Sequence, residues 1–301
     1  MKVFRSSKRK KNGLAYFFIF PVLLMTIGFL FYPMLSVFYY GLHDYSTQRP
    51  NDINFIGLQH YINMATNDPL LWQSLIISIK WVVYNIFFQC VIGMAAALLI
   101  SREFKGRGLV RTILISPYAV SGILASALWL FIFQDNFGLM NDLLKKIGFI
   151  TQNISWTGNL KYSLSAAVTA ETWRNMPFFV IIFTAGLQSI SIEYYEAAIV
   201  DGANSVRRFI SITLPFLKET IVYTCILRAA WEFSNIDVIY TLTKGGPVNA
   251  TTTLAMYVVK VAIKGNDFGY GSALTVASFF LLTLFTFVFI KIAGLKKEDL
   301  I

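Results

Sequence analysis

The chain has 301 residues, of which 56% are apolar, 16% aromatic and only 14% charged, with a mean hydropathy of +0.59. Soluble domains carry about 25% charged residues, so this composition argues against a soluble enzyme or a nucleic-acid binder. The net charge of +10 has to be read from where it sits. Cys90 and Cys225 both lie in apolar runs, with neither a metal spacing nor a disulfide framework, and read as buried thiols.

Six apolar stretches are long enough to cross a bilayer, which needs about 20 residues. They run 14–40, 71–100, 113–133, 163–190, 216–243 and 271–292. The first is too long for a cleaved signal and lacks a small-residue cleavage site, so it reads as a retained anchor, bent at Pro21 and Pro33. The third is rich in small residues, with Ser121/Ala125 and Gly122/Ser126 spaced for close helix approach. Of the 26 Lys and Arg, sixteen fall on one side if the N-terminus is cytoplasmic. They cluster in the tail (Lys2, Arg5, Lys8, Arg9, Lys10, Lys11), in 101–112, in 191–219 and at the C-terminus. That bias places both termini inside and points the excess charge at anionic lipid, without nucleic acid.

The outer segments carry helix-stop chemistry: Asn51, Asp52, Gly57, Asp68 and Pro69 in one, Asn136, Gly138, Gly148 and Gly158 in the next. In the last, Leu254, Tyr257, Val258 and Val261 recur at helical spacing, which predicts a short amphipathic helix over 252–264 lying on the membrane surface. His43 and His60 read as surface histidines.

The segment between the fourth and fifth stretches is too polar to insert, yet it is patterned. Ser191 is placed to cap a helix through Glu193 and Glu196, Gly202 breaks it, and Asn204 or Ser205 starts a second helix bearing Val206, Phe209 and Ile210. Pro215 then suits the first turn of the fifth span. This helix–turn–helix elbow shows more apolar surface than a free loop should, as a docking site would.

Glu196-Ala197-Ala198, Gly202, Ile212 and Leu214-Pro215 match EAA-x3-G-x9-I-x-LP at every fixed position. The motif resembles the ATPase-docking loop of permease subunits in binding-protein-dependent ABC importers. Thr243-Lys244-Gly245-Gly246-Pro247, followed by Thr251-Thr252-Thr253-Leu254 and Tyr257, is similar to a signature of the carbohydrate importers of that family, of the larger maltose-system permease type. Tyr270-Gly271, Phe20-Pro21 and Tyr32-Pro33 fit the same group. Ser191 departs from the proline usual at its position, and the large outer insertion of the maltose protein is absent.

The resemblance implies an all-α membrane protein: the six-helix transmembrane domain of a type I ABC importer, with both termini cytoplasmic. It divides the chain into a basic tail (1–13), a permease domain (14–293) with its docking loop at 191–215, and a C-terminal tail (294–301). Glu196, Ala197, Ala198, Asp201, Gly202, Ile212, Leu214 and Pro215 are then expected to dock the ATPase. The implied partners are a second homologous permease, two ATPase subunits that bind the ATP and Mg, an extracytoplasmic solute-binding protein, the lipid bilayer and a sugar. The chain itself needs no cofactor, and the implied setting is a bacterial plasma membrane.

Ionisable residues at membrane depth mark function by default. Glu171 and Arg174 are three apart in the fourth span, and Arg228 and Glu232 four apart in the fifth, so each pair can close within one helix. Both pairs read equally as packing between helices. The family places this part of the fifth span on the substrate path, so Trp231, Glu232, Ser234, Asn235 and Asp237, with Glu171 and Trp173, are the candidates there. Lys80 reads as snorkelling or locally paired. Gly245-Gly246 lacks the Lys-Ser/Thr of a phosphate loop, and no Walker motif occurs, so the chain reads as a transport subunit without its own ATPase site. A phosphorylated polyol is the alternative cargo, to be marked by a cluster of unpaired Arg or Lys.

Overall fold

The computed structural model describes residues 16–292; the tails 1–13 and 294–301, with their lysines and arginines, lie outside the described residues. The described residues fall into two compact units, one of 16–67 with Val258–Phe279, the other of Asp68–Tyr257 with 280–292.

The first unit begins with α1 (Tyr16–Tyr40), none of whose most apolar stretch is buried. The helix passes Pro21 in α conformation and widens to a π turn over Ile27–Phe31, ahead of Pro33. That turn falls where the Pro33 ring would meet the carbonyl of Phe29 in a regular helix. A two-residue hairpin follows, β1 (His43–Asp44) against β2 (Asn54–Phe55), then α2 (Gln59–Asn67). His43 and His60 are buried here, contrary to the surface position expected. The His43 ring stacks on Tyr39 at 4.0 Å and donates from Nδ1 to the Tyr39 carbonyl at 2.7 Å; His60 Nε2 donates to the His43 carbonyl at 3.1 Å. Backbone acceptors and aromatic faces make burial affordable for both rings.

The second unit is built on α3 (Pro69–Ser101) and α7 (Ser163–Gln188), which pack along one another. Asp68 caps α3 by accepting from the Leu71 amide at 3.0 Å, with Pro69 in the first turn. Ala96, Ala97, Ala166, Ala167 and Ala170 are buried, and a Cβ at Gly93 would stand 2.5 Å from the Phe179 Cβ. Small side chains are what let the two helices approach so closely. α10 (Leu214–Ser234) completes the packing, with Leu217 buried beside Met94, Phe179 and Phe183. Cys90 and Cys225 are free and half-buried against this cluster rather than fully enclosed.

The third stretch, expected as a span at 113–133, is not one continuous helix. α4 (Arg107–Ile115) leads into a 3-10 turn (Ser116–Ala119), and the chain then bends by 105° into α5 (Gly122–Ile132). Val120 is extended, and Ser121 caps α5 from an extended conformation, its hydroxyl accepting from Leu124 N at 3.3 Å. At 11 residues, α5 spans about 16 Å, half of a bilayer core. Between α5 and α7 lies α6 (Leu139–Lys146), held by Asn141. The fifth stretch also differs. Its helical rod begins at Ser205 rather than at 216, in α9 (Ser205–Arg208), and runs through a π turn (Phe209–Thr213) to Leu242. Pro215 therefore sits inside a rod, and the π turn includes Ser211, whose carbonyl its ring would strike in a regular helix. The rod is interrupted at Asn235–Ile236, after which α11 (Asp237–Leu242) packs on α5.

The helix expected at 252–264 is present as α12 (Leu254–Val259) and a π turn (Lys260–Lys264), but Leu254, Met256 and Tyr257 are buried by protein rather than laid on lipid. The sixth stretch is α13 (Phe268–Ile292).

If close approach at Gly93 holds α3 to α7, Gly93→Val should cost about 1–3 kcal/mol and lower the thermal midpoint of the purified protein in detergent. Gly28→Val, where a Cβ meets nothing within 4 Å, should leave the midpoint unchanged.

Candidate functional site

A cavity of about 480 Å³ opens where the rod breaks. Trp231 and Ser234 from α10, Asn235 and Asp237 at the break, Arg174 and Asn175 from α7, and Tyr118 from the 3-10 turn line it. Four of the residues expected on the substrate path, Trp231, Ser234, Asn235 and Asp237, thus meet in one place. The other three do not. Glu171 and Glu232 are fully buried behind the wall, and Trp173 packs edge-on against Trp129 and faces a separate, mostly apolar groove that also includes Lys80. Lys80 is exposed on α3, within that groove.

The two glutamates hold the wall up. Glu171 accepts from Asn175 and, at 2.8 Å, from Asn235 Nδ2, and pairs with Arg174 at 3.5 Å. Glu232 pairs with Arg228 and accepts from Gln89 Nε2 at 2.9 Å, while Trp81 Nε1 donates to its backbone carbonyl at 3.1 Å. Arg228 in turn lies over the rings of Phe178 and Trp231, at 5.7 and 5.5 Å. A buried carboxylate persists only with partners of this kind.

Asn235 makes the break. Its backbone is extended, which ends α10; its Oδ1 accepts from Asp237 N at 3.0 Å, starting α11; its Nδ2 reaches Glu171. Gly122 makes room opposite, since a Cβ there would fall 2.4 Å from Asp237 Oδ2 and 3.0 Å from Arg174 Nη1. The small residues read from the sequence therefore serve packing inside this unit. Sequence reasoning missed Tyr118 and Asn175, and left Arg174 and Arg228 as pair partners. Tyr118 carried no signal, because it reaches the cavity only through the bend in the third stretch.

The elbow lies at the other end of the rod. α8 (Ile192–Val200) follows α7 after a bend of 71°, with Ser191 accepting from Glu193 N at 3.4 Å. Ala203 N bonds the Ala198 carbonyl at 2.8 Å and Gly202, at φ +76°, closes the helix in the left-handed region. Asn204 then caps α9, accepting from Arg207 N at 2.8 Å. Glu196, Ala197, Asp201 and Gly202 are exposed and Ala198 half-buried, beside a Val200 that is 87% exposed. Pro215 is also exposed, but Ile212 and Leu214 are half-buried, and Ile212 packs against the Met94–Phe183–Leu217 cluster. Ile212 thus helps seat the elbow on the helix pair. Tyr195 Oη meets Thr213 Oγ1 at 2.9 Å, tying α8 to the rod.

The Thr-Lys-Gly-Gly-Pro segment touches none of this cavity. The Thr243 and Thr251 hydroxyls meet at 2.6 Å, Thr251 donates to the Gly246 carbonyl at 2.8 Å, and Thr252 donates to that of Gly245 at 2.8 Å. Ser78 Oγ accepts from Leu254 N at 2.8 Å, and Tyr257 Oη donates to Asp68 at 2.7 Å. The signature knits a loop to the start of α3.

The fifth stretch is thus a long, apolar, broken rod with a polar cavity near one end and an exposed elbow at the other. Residues 89–295 match the family described as the binding-protein-dependent transport system inner membrane component, and the chain belongs to it. It is 32% identical to the trehalose/maltose transport system permease protein MalF of Thermococcus litoralis, over 97% of both chains. It is 30% identical to the trehalose transport system permease protein SugA of Mycobacterium tuberculosis, over 96% of this chain and 91% of that one. In fold it is similar to a chain of a bacterial ABC transporter involved in import of the acidic polysaccharide alginate, with a TM-score of 0.81 at 19% identity over 98% of this chain and 99% of that one.

The structure separates support from lining. Glu232→Ala would leave Arg228 buried without its carboxylate and should cost about 3–5 kcal/mol, read as lost yield and a lower thermal midpoint. Asn235→Leu would strip one donor from Glu171 and undo the turn to Asp237, costing about 1–3 kcal/mol by the same measurement. Wild-type midpoints in both would remove the glutamates from the role given them.

Proposed function

We propose that the chain is the permease subunit through which a sugar or oligosaccharide crosses a bacterial plasma membrane by alternating access, driven by ATP hydrolysed on other subunits. The observation that carries this is the cavity at the rod break. The 46% exposed Trp231 offers an aromatic face beside the side chains of Tyr118, Ser234, Asn235 and Asp237. A ring face beside fixed hydrogen-bonding groups matches the two surfaces of a sugar. Relatives named for trehalose and maltose transport support the same reading. A phosphorylated cargo gains no support, because both guanidiniums at the cavity already pair with buried glutamates.

In this reading a second homologous permease completes the path, an external binding protein delivers the sugar, and two ATPase subunits, which hold the ATP and Mg, dock on the cytoplasmic elbow. ATP acts by binding one state of the assembly better than the other. The difference enters at the exposed face of α8, through Glu196, Ala197, Ala198, Asp201 and Gly202, and passes along the rod to the cavity.

Gly202→Val places a branched side chain at φ +76°, and Glu196→Lys reverses an exposed charge. Each should reduce co-purification of the ATPase with the permease and sugar-stimulated ATP hydrolysis in reconstituted vesicles by about tenfold or more, while insertion stays normal. Trp231→Ala should instead preserve assembly and lower uptake. Full docking, hydrolysis and uptake in all three variants would overturn the proposal.

A further inference from the structure

We propose that the groove between α3, α5 and α7 is a binding site for an anionic phospholipid, with the headgroup phosphate held between Lys80 and Lys161 and an acyl chain laid along the apolar wall. Such a site follows from the chain's membrane setting and is independent of its cargo.

The groove has a volume of about 930 Å³ and shares no lining residue with the cavity at the rod break. Two helix stripes form it: Lys80, Tyr84, Phe88 and Ile92 recur at every fourth residue on α3, and Thr169 and Trp173 do so on α7. Trp129 of α5 meets Trp173 edge-on at 6.0 Å. Trp81 and Val82 of α3 share a cluster with Ala166, Ala167 and Val168 of α7, whereas Gly93, further along α3, meets Phe179. The two helices therefore run in the same direction, and Lys80 stands near the start of α7, which Lys161 just precedes. Both ammonium groups thus belong to the same end of the groove. From Lys80 to Ile92 the α3 stripe runs about 18 Å, against about 15 Å for one half of a bilayer core.

No Asp or Glu lines this groove, and among the described residues neither lysine makes an ion pair. Lys161 lies over the Tyr162 ring at 5.4 Å, a contact that orients the ammonium and leaves its charge in place. Lys80, on a helix flank, extends toward the headgroup level as a snorkelling lysine does, and phosphates lie at that level. Two cations without an acid, set above an apolar channel one leaflet long, complement a ligand with a negative head and a long apolar body. A sugar has no such body. A zwitterionic lipid brings a cation of its own, which a second ammonium beside it repels. A helix of another subunit laid here would press both ammonium groups against apolar side chains, which is costly at membrane depth unless that helix brings an acid. An anionic phospholipid satisfies both ends at once: its phosphate accepts charge-assisted hydrogen bonds from the two lysines, and its chain covers Tyr84, Phe88 and Ile92, which are otherwise 43–44% exposed.

The test uses the full chain purified with its co-expressed partners and stripped of lipid in detergent. Native mass spectrometry then follows lipid bound on titration with phosphatidylglycerol or with phosphatidylcholine of the same acyl chains. Phosphatidylglycerol should bind more tightly by about tenfold, and Lys80→Gln combined with Lys161→Gln should bring the two lipids to within about twofold of each other. Thr169→Trp fills the groove while keeping both lysines, and should abolish the tightly held lipid. Should that variant fail to assemble, Ser165→Trp, at another exposed position of the same wall, gives the same reading. Equal binding of the two lipids, or a preference unmoved by the paired lysine variant, overturns the proposal. So does tight binding that survives the groove-filling tryptophan, since the lysines would then attract lipid without a groove. Displacement of phosphatidylglycerol by an equal concentration of inorganic phosphate would show an anion site only, and the absence of any retained lipid in the assembly would show a groove covered by a partner subunit; either result also overturns it.

Discussion

Glu171 and Glu232 have no contact with solvent, and a carboxylate among apolar helices survives only where donors and cations surround it. That requirement organises the centre of the molecule. Glu171 draws Asn175 and Arg174 from its own helix and Asn235 from the rod; Glu232 draws Gln89 and Trp81 from α3 and Arg228 from its own helix. Three long helices are thus tied to one another by polar contacts as well as by apolar packing. In a bilayer this matters more than in water, because lipid tails compete equally for apolar side chains.

The break at Asn235 depends on the same network. An interrupted helix leaves backbone groups without intrahelical partners, which is tolerable at membrane depth only where protein or a cavity meets them. Asn235 meets one of them, the Asp237 amide, with its own side chain, and Glu171 holds that side chain in place. The cavity is what the interruption leaves open. From there the rod runs back without a gap to Ser205, and Tyr195 ties it to the elbow helix at Thr213. The elbow contact at Thr213 and the cavity thus lie along one helical rod, so a displacement at the first has a covalent route to the second.

Much of this was legible in the sequence. The turn of the elbow is legible because Ser191, Gly202 and a helix start at Asn204 or Ser205 act through local chemistry that spacing reveals, whereas its second helix proves to be the first part of the fifth rod. The charge pairs were legible for the same reason, lying three and four residues apart on one helix. What stayed hidden depends on partners distant in the chain. Apolar periodicity over Leu254, Tyr257 and Val258 reads the same whether lipid or protein covers it, and here Tyr257 reaches Asp68 while Leu254 N reaches Ser78. His43 and His60 are buried by aromatic rings and backbone carbonyls that no local pattern announces. The bend in the third stretch turns on Pro117, Val120 and Ser121, which a hydropathy window averages away.

The carbohydrate-importer signature and the residues that line the cavity are different residues. The threonine-rich segment spends its hydroxyls on its own loop, and its exposed tip is Val248, at φ 45° and 80% exposed. Its chemistry is that of a fixed scaffold. The cavity instead takes Tyr118 from the bent third stretch and Asp237 from the broken fifth, with Gly122 leaving room beside Asp237 and Arg174. A loop that must hold its shape constrains many residues at once, whereas a cavity wall is set by a few. Here the wall is set by side chains that the bent third stretch and the broken fifth bring to one cavity, Tyr118 from the first and Asn235 and Asp237 from the second.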